Sequence, residues 1–174
     1  MNIFYLHESP FVSAQAMTNK HIVKMILESA QLLSTAHHIL DEDNAKHKDK
    51  LYKKTHHNHP SAVWVRESSE NYAWLYSHFL ALSMEYANRY GKLHKSYLQL
   101  FEALHNLPNN IPKGKFTQPP QAMPNIYKDY DSVQAYRTYY LNEKIKNDED
   151  LSRFVNILQK NKEVRNVVSF QLWG

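Results

Sequence analysis

The sequence predicts an all-α fold: a compact single-domain helical fold with a long first helix crossed by the others. Three observations carry this. Only 3 of the 174 residues are Gly, too few for a set of tight β-hairpins or a Gly-rich phosphate loop. Side chains that cap helices stand at Thr18, Ser68, Ser69, Asp131 and Asp148, each followed by a stretch compatible with a helix. The length suits one domain and leaves no room for two large ones.

The elements follow in order. Residues 2–6, NIFYL, form a short apolar segment closed by Ser9-Pro10. A helix begins with Thr18 or Asn19 as N-cap and runs to about Leu40. Residues 41–60 form a charged loop, with 51–63 irregular around Tyr52, His56, His57, His59 and Pro60. A short segment at 62–66, AVWVR, leads to Ser68-Ser69 and a second helix over about 69–90, ended by Gly91. A third helix covers about 93–106. Residues 107–125 hold five of the 7 Pro and form a long loop, of the kind that is functional or disordered. Asp131 caps a fourth helix to about Lys146, and Asp148 a fifth to about Lys160. The tail is expected to pack through Phe170 and Trp173.

Apolar residues make up 43% and charged residues 22%, a soluble globular composition. The chain has no Cys, which excludes disulfides, thiolate nucleophiles and Cys-ligated zinc. The N-terminus lacks a basic region followed by an apolar run, and no stretch is long enough to span a membrane. The expected location is cytoplasmic, meaning host cytoplasm if the protein is phage-encoded. A net charge of +4 and 12 Tyr suit an anionic partner such as nucleic acid, although a basic surface with no such partner has the same composition.

The first long helix carries an unusual stripe. At about 100° per residue, His21, Lys24, Glu28, Gln31, Thr35 and His38 fall within roughly a quarter of its circumference. Met25 and Leu32 flank the stripe on one side, Val23 and Leu27 on the other. Such a narrow polar arc between apolar borders predicts a polar cleft lined by a buried helix; a buried network tying helices together is the alternative. A carboxylate at Glu28 beside His21 and Lys24 suits acid–base work or stabilisation of a developing cation.

His21 and Glu28, seven residues apart on this helix, resemble a motif of the phage pyrimidine-dimer DNA glycosylases of endonuclease V type. Leu141-Asn142-Glu143-Lys144-Ile145 is similar to that family's Leu-Asp-Glu-Lys-Ile segment, and the aromatic helix 71–90 followed by Gly91 resembles its central helix. The opening MNIF and the segment around KMILE also resemble a set of phage proteins. The resemblance covers about two-thirds of the chain, loosely, and implies a small all-α protein. In that family the N-terminal amine attacks the sugar carbon of the damaged nucleotide, the glycosidic bond breaks, a Schiff base forms and lyase chemistry cuts the strand. The resemblance therefore implies Glu28 as the essential carboxylate, His21 as its neighbour, and the N-terminus at Met1 or Asn2 as nucleophile. Two positions depart from the pattern. Leu27 stands where the family has Arg, and the bulky Asn2 predicts that Met1 is retained. An α-amine of pKa about 8 is still partly neutral at pH 7.

Other residues fit a nucleic-acid interface. Lys24 lies in the stripe. Arg66 stands near a helix start, among the aromatics Trp64, Tyr72, Trp74 and Tyr76, of which Trp74 and Tyr76 read better as core. Lys92 and Lys95 flank a helix junction with Arg89 and His94, and Arg137 lies on the fourth helix among Tyr136, Tyr139 and Tyr140. Phosphate contacts from Lys24, Arg66, Lys92, Lys95 and Arg137 are expected. Gln121 and Lys128 are candidate contacts on the Pro-rich loop. Zinc would need His56 and His59 with His37 or His38; a polar loop is the preferred reading, with no metal and no cofactor. The expected function is a DNA glycosylase/AP-lyase-like protein acting on DNA. The alternatives are an enzyme on a modified base or nucleotide using the same cleft, and a non-catalytic phage accessory protein binding DNA or a host protein.

Overall fold

The computed structural model describes residues 1–171, with side chains to residue 162; Phe170 and Trp173, expected to pack the tail, lie outside the described side chains. The described residues form seven α-helices: α1 (Pro10–Gln15), α2 (Asn19–Leu40), α3 (Pro60–Glu67), α4 (Ser69–Tyr90), α5 (Lys95–His105), α6 (Ser132–Glu143) and α7 (Asp148–Gln171). Single 3-10 turns occur at Glu42–Asn44 and Asn125–Tyr127, and there is no strand among the described residues.

The caps explain most boundaries. Thr18 accepts a hydrogen bond from the His21 N–H, Ser68 from Asn71 and Asp131 from Val133, each satisfying a backbone donor that the first turn leaves open. Gly91 ends α4 in the left-handed region (φ 66°), which only Gly adopts without cost. Two helices depart from the sequence reading. Pro10 and Pro60 each open a helix, where the sequence was read as a segment closure and as irregular chain. Proline at the first helical position lacks only a donor that would be unsatisfied anyway. The fourth predicted helix stops at Glu143, and the fifth continues to Gln171.

The long helix α2 lies against α3, α4 and α5, while α1 packs on α4 and α7. Ile22, Met25, Ile26, Leu32 and Leu33 of α2 meet Tyr72, Leu75, Phe79 and Leu82 of α4 in the core. The Pro-rich loop is pinned along its length. Asp41 accepts from the Asn109 and Asn110 N–H groups at 2.8 and 2.9 Å. Farther on, Tyr136 donates its hydroxyl to Pro120 O and accepts from the Ala122 N–H.

Asn71, fully buried on α4, holds the middle of this loop. Its Nδ2 donates to Trp64 O and Thr117 Oγ1, and its Oδ1 accepts from the Thr117 N–H at 2.9 Å. Asn71→Ala strands the buried Trp64 carbonyl and releases the Thr117 N–H. The expected loss is about 1–3 kcal/mol, read as a lower urea midpoint at unchanged slope.

Candidate active site

The N-terminal segment is folded back onto the middle of α2. Asn2 makes this possible with three separate contacts. Its backbone N–H donates to Glu28 Oε2 at 3.0 Å, and its side-chain Nδ2 donates to Ala122 O at 2.8 Å. Its Oδ1 accepts from the Ile3 and Phe4 N–H groups. The turn so formed puts Phe4 at φ 54°, a left-handed conformation that costs a non-Gly residue of order 1–3 kcal/mol and persists only where the surroundings enforce it. The buried Ile3, Tyr5 and Leu6 side chains do so from the core.

Glu28 receives two partners. Oε2 takes the Asn2 N–H, and Oε1 pairs with Lys24 Nζ at 3.2 Å, one helical turn earlier. The carboxylate side chain is 12% exposed while that of Lys24 is 62% exposed. The pair therefore orients the carboxylate but is screened by water on its basic side.

His59 joins this region from the loop before α3. Its imidazole is held below its ordinary pKa by partial burial, then by the positive charges of the N-terminal amine and His56; Glu28 opposes them. The charges of the amine and of Glu28 thus both act on this imidazole, from opposite directions. Nδ1 of His59 accepts from the Ser61 N–H at 3.2 Å, so the neutral ring carries its proton on Nε2. The sequence reading makes 55–60 a polar loop with at most one His in the cleft, and does not single out His59. The THHNHP cluster marked the loop, but nothing local in it shows that the loop meets the N-terminus.

The stripe on α2 divides. His21 is buried, with Nδ1 sharing a hydrogen bond with the Tyr140 hydroxyl at 2.7 Å and its ring stacked on Phe4 at 4.5 Å. Tyr140 in turn accepts from the Thr18 N–H. Burial, with Lys144, Lys24 and Lys20 adding to it and Asp150 opposing, lowers the His21 pKa to about 4. Thr35 is also buried and exchanges hydrogen bonds with the backbone of Thr55. These two residues tie helices and loops together, whereas Glu28 and Gln31 remain accessible. The border at Val23 and Leu27 is a correction to the sequence reading: both are exposed, at 43% and 40%, rather than buried beside a cleft.

Leu27 and Gln31 line a groove of about 480 Å³ with Tyr52, Lys53, Lys54 and Lys95. Of the other expected phosphate contacts, Lys92 is exposed after α4. The Arg66 guanidinium donates to His57 O and Ala62 O, and Arg137 Nε donates to Leu6 O. Arg89 bridges Glu85, Gln15 O, Met17 O and Asn19 Oδ1. Trp64 and Tyr72 are buried in the core. His37 and His38 bond to the Tyr72 hydroxyl and to Tyr52 O. Among the described residues no three His, Asp or Glu side chains are grouped to hold a metal ion, and no helix is long and apolar enough to cross a membrane.

An all-α protein with its N-terminal segment fastened to a largely buried glutamate on the first long helix is the class that fold and geometry define. The family described as pyrimidine dimer DNA glycosylase matches residues 1–99, more than half of the 174, and the chain belongs to that family. The matched region includes the N-terminal turn, Glu28 and His59. No match was found among curated proteins or solved structures.

Proposed function

We propose that the protein is a DNA glycosylase with AP-lyase activity, using the Met1 amine as nucleophile and Glu28 as the catalytic carboxylate. The observation that carries this reading is the 3.0 Å bond from the Asn2 N–H to Glu28 Oε2, which keeps the amine one residue from the carboxylate. In the reaction proposed, the neutral amine attacks C1′ of the target nucleotide. The C1′–N bond breaks and its electron pair leaves with the base, which takes up a proton. The attached amine gives up a proton and the C1′–O4′ bond breaks, O4′ taking up a proton; the iminium so formed, stabilised by the Glu28 carboxylate, loses a C2′ proton and expels the 3′ phosphate, which cuts the strand. Water then releases the enzyme.

His59, whose partial burial disfavours the charged ring, offers its Nε2–H as a hydrogen-bond donor. His21 is a positioning residue: it stacks under Phe4, whose turn delivers Asn2 to Glu28. Lys24 fixes one carboxylate oxygen. DNA is the proposed partner.

Borohydride reduces an iminium to a stable secondary amine. With duplex DNA carrying an abasic site, the wild type is expected to give a covalent protein–DNA band in its presence, and N-terminal acetylation is expected to abolish the band. Absence of an adduct on both abasic and dimer-containing DNA would overturn the reading.

A further inference from the structure

We propose that the groove between α2, residues 52–55 and the first turn of α5 is the track for a DNA strand, with Lys53, Lys54 and Lys95 on its phosphates. The proposal rests on the glycosylase reading for the partner, but its observations are separate. The groove measures about 480 Å³; Leu27, Gln31 and Tyr52 contribute to its lining beside the three lysines, and no Asp or Glu lines it. Lys53, Lys54 and Lys95 are exposed, and none forms an ion pair among the described residues. By contrast, Lys24, Arg89 and Arg153 have carboxylate partners. Lys54 also borders a neighbouring hollow with Glu42 and Asp43, but none of the three lysines is ion-paired among the described residues; three such cations on one groove repel each other, and a polyanion laid along it relieves that repulsion.

The backbone that bears Lys53 and Lys54 is also held in place. Tyr52 donates its N–H to Ser34 Oγ and its hydroxyl to Ser96 Oγ at 2.9 Å, and its carbonyl bonds His38 Nε2. The Thr55 N–H donates to Thr35 Oγ1. The segment bearing Lys53 and Lys54 is thus fixed at both ends to α2, and Tyr52 joins it to the residue after Lys95. Such a site does little reorganising on binding.

The groove also leads to the candidate site. Leu27 immediately precedes Glu28, and Gln31 lies on the same helix face one turn on. The chain leaving Thr55 runs on to His59, whose imidazole feels the charge of the amine and of Glu28. Positive charge faces Leu27 from residues 53–54 and α5, and Leu27, 40% exposed, offers an apolar surface to a base.

The test is equilibrium binding of the full chain to a duplex carrying a non-cleavable abasic analogue, from about 50 to 200 mM salt. Lys53→Ala/Lys54→Ala/Lys95→Ala is compared with Lys146→Ala/Lys160→Ala/Lys162→Ala, which removes the same charge elsewhere. The groove variant is expected to lower the slope of log K against log salt by about 2–3, at about 0.9 per phosphate contact, and the control by less than about 1. Equal slopes for the two variants would overturn the proposal, as would failure of the wild type to bind DNA or preferential capture of a poly-glutamate peptide in the groove. Borohydride trapping run alongside separates the two readings. A lowered slope without any wild-type adduct supports the groove and removes the glycosylase chemistry; an unchanged slope with an intact adduct overturns the groove alone.

Discussion

Glu28→Gln is expected to reduce strand cleavage at an abasic site by at least about a hundredfold, the range for losing a positioned acid–base group, while the protein stays folded. The amide has the carboxylate's shape, and its oxygen can still accept the Asn2 N–H that now reaches Oε2. The Lys24 pair is lost, but its ammonium is largely solvated, so the stability change is of order 0.5 kcal/mol. What disappears is the negative charge facing a developing iminium. Single-turnover cleavage and thermal unfolding of the same preparation check both halves. Equal cleavage by wild type and Glu28→Gln would remove Glu28 from the mechanism.

Acid is expected to destabilise the protein steeply between pH 6.5 and pH 4. Three histidines are neutral inside the fold. His78 is fully buried against Trp74, with no hydrogen-bond partner on either ring nitrogen, and burial alone lowers its pKa to about 3. Burial lowers His37 to about 4, opposed by Asp41 and the Asn106 backbone and assisted by His38 and His47. His21 is lowered to about 4 as well. Each unfolded ring binds a proton below its ordinary value of 6.5 while the folded ring stays neutral. Their contribution is therefore complete above pH 6.5 and is lost as the pH falls toward the folded values. At pH 5 each ring costs about 2 kcal/mol, so the three together remove several kcal/mol from a fold of ordinary stability. Urea midpoints at pH 7.5 and pH 5 measure the loss. His78→Leu, which keeps the volume apolar, is expected to lose about 2 kcal/mol less than wild type across that interval. An equal loss in both would show that His78 is not neutral in the fold.

Local signals in the sequence located the helices that caps and Gly define. Thr18, Ser68 and Asp131 cap α2, α4 and α6, and Gly91 ends α4. Less visible was α3, because Pro60 and a cluster of His mask a helix whose stability comes from packing Trp64 and Val65 into the core. The helical angle placed Glu28 on an accessible face and grouped it with Lys24, which the structure pairs with it. Angle alone could not separate His21 and Thr35 from Glu28, since what buries them is the aromatic N-terminal turn and the 52–55 segment. His59, Lys53 and Lys54 lie on a loop placed by contacts eighteen and twenty residues apart in sequence, made by Ser34 and Thr35 with Tyr52 and Thr55. No short-range pattern records such contacts.

The identity of the nitrogen that carries the trapped sugar tests the central claim most directly. The wild type, reduced with borohydride on abasic DNA, is digested with nuclease and protease, and the modified peptide is sequenced by mass spectrometry. The sugar remnant is expected on the α-amine of the peptide beginning at Met1, and to be absent from Glu28→Gln handled in parallel. A remnant on the side chain of Lys24, Lys53 or Lys54, with the Met1 amine unmodified, would contradict the assignment.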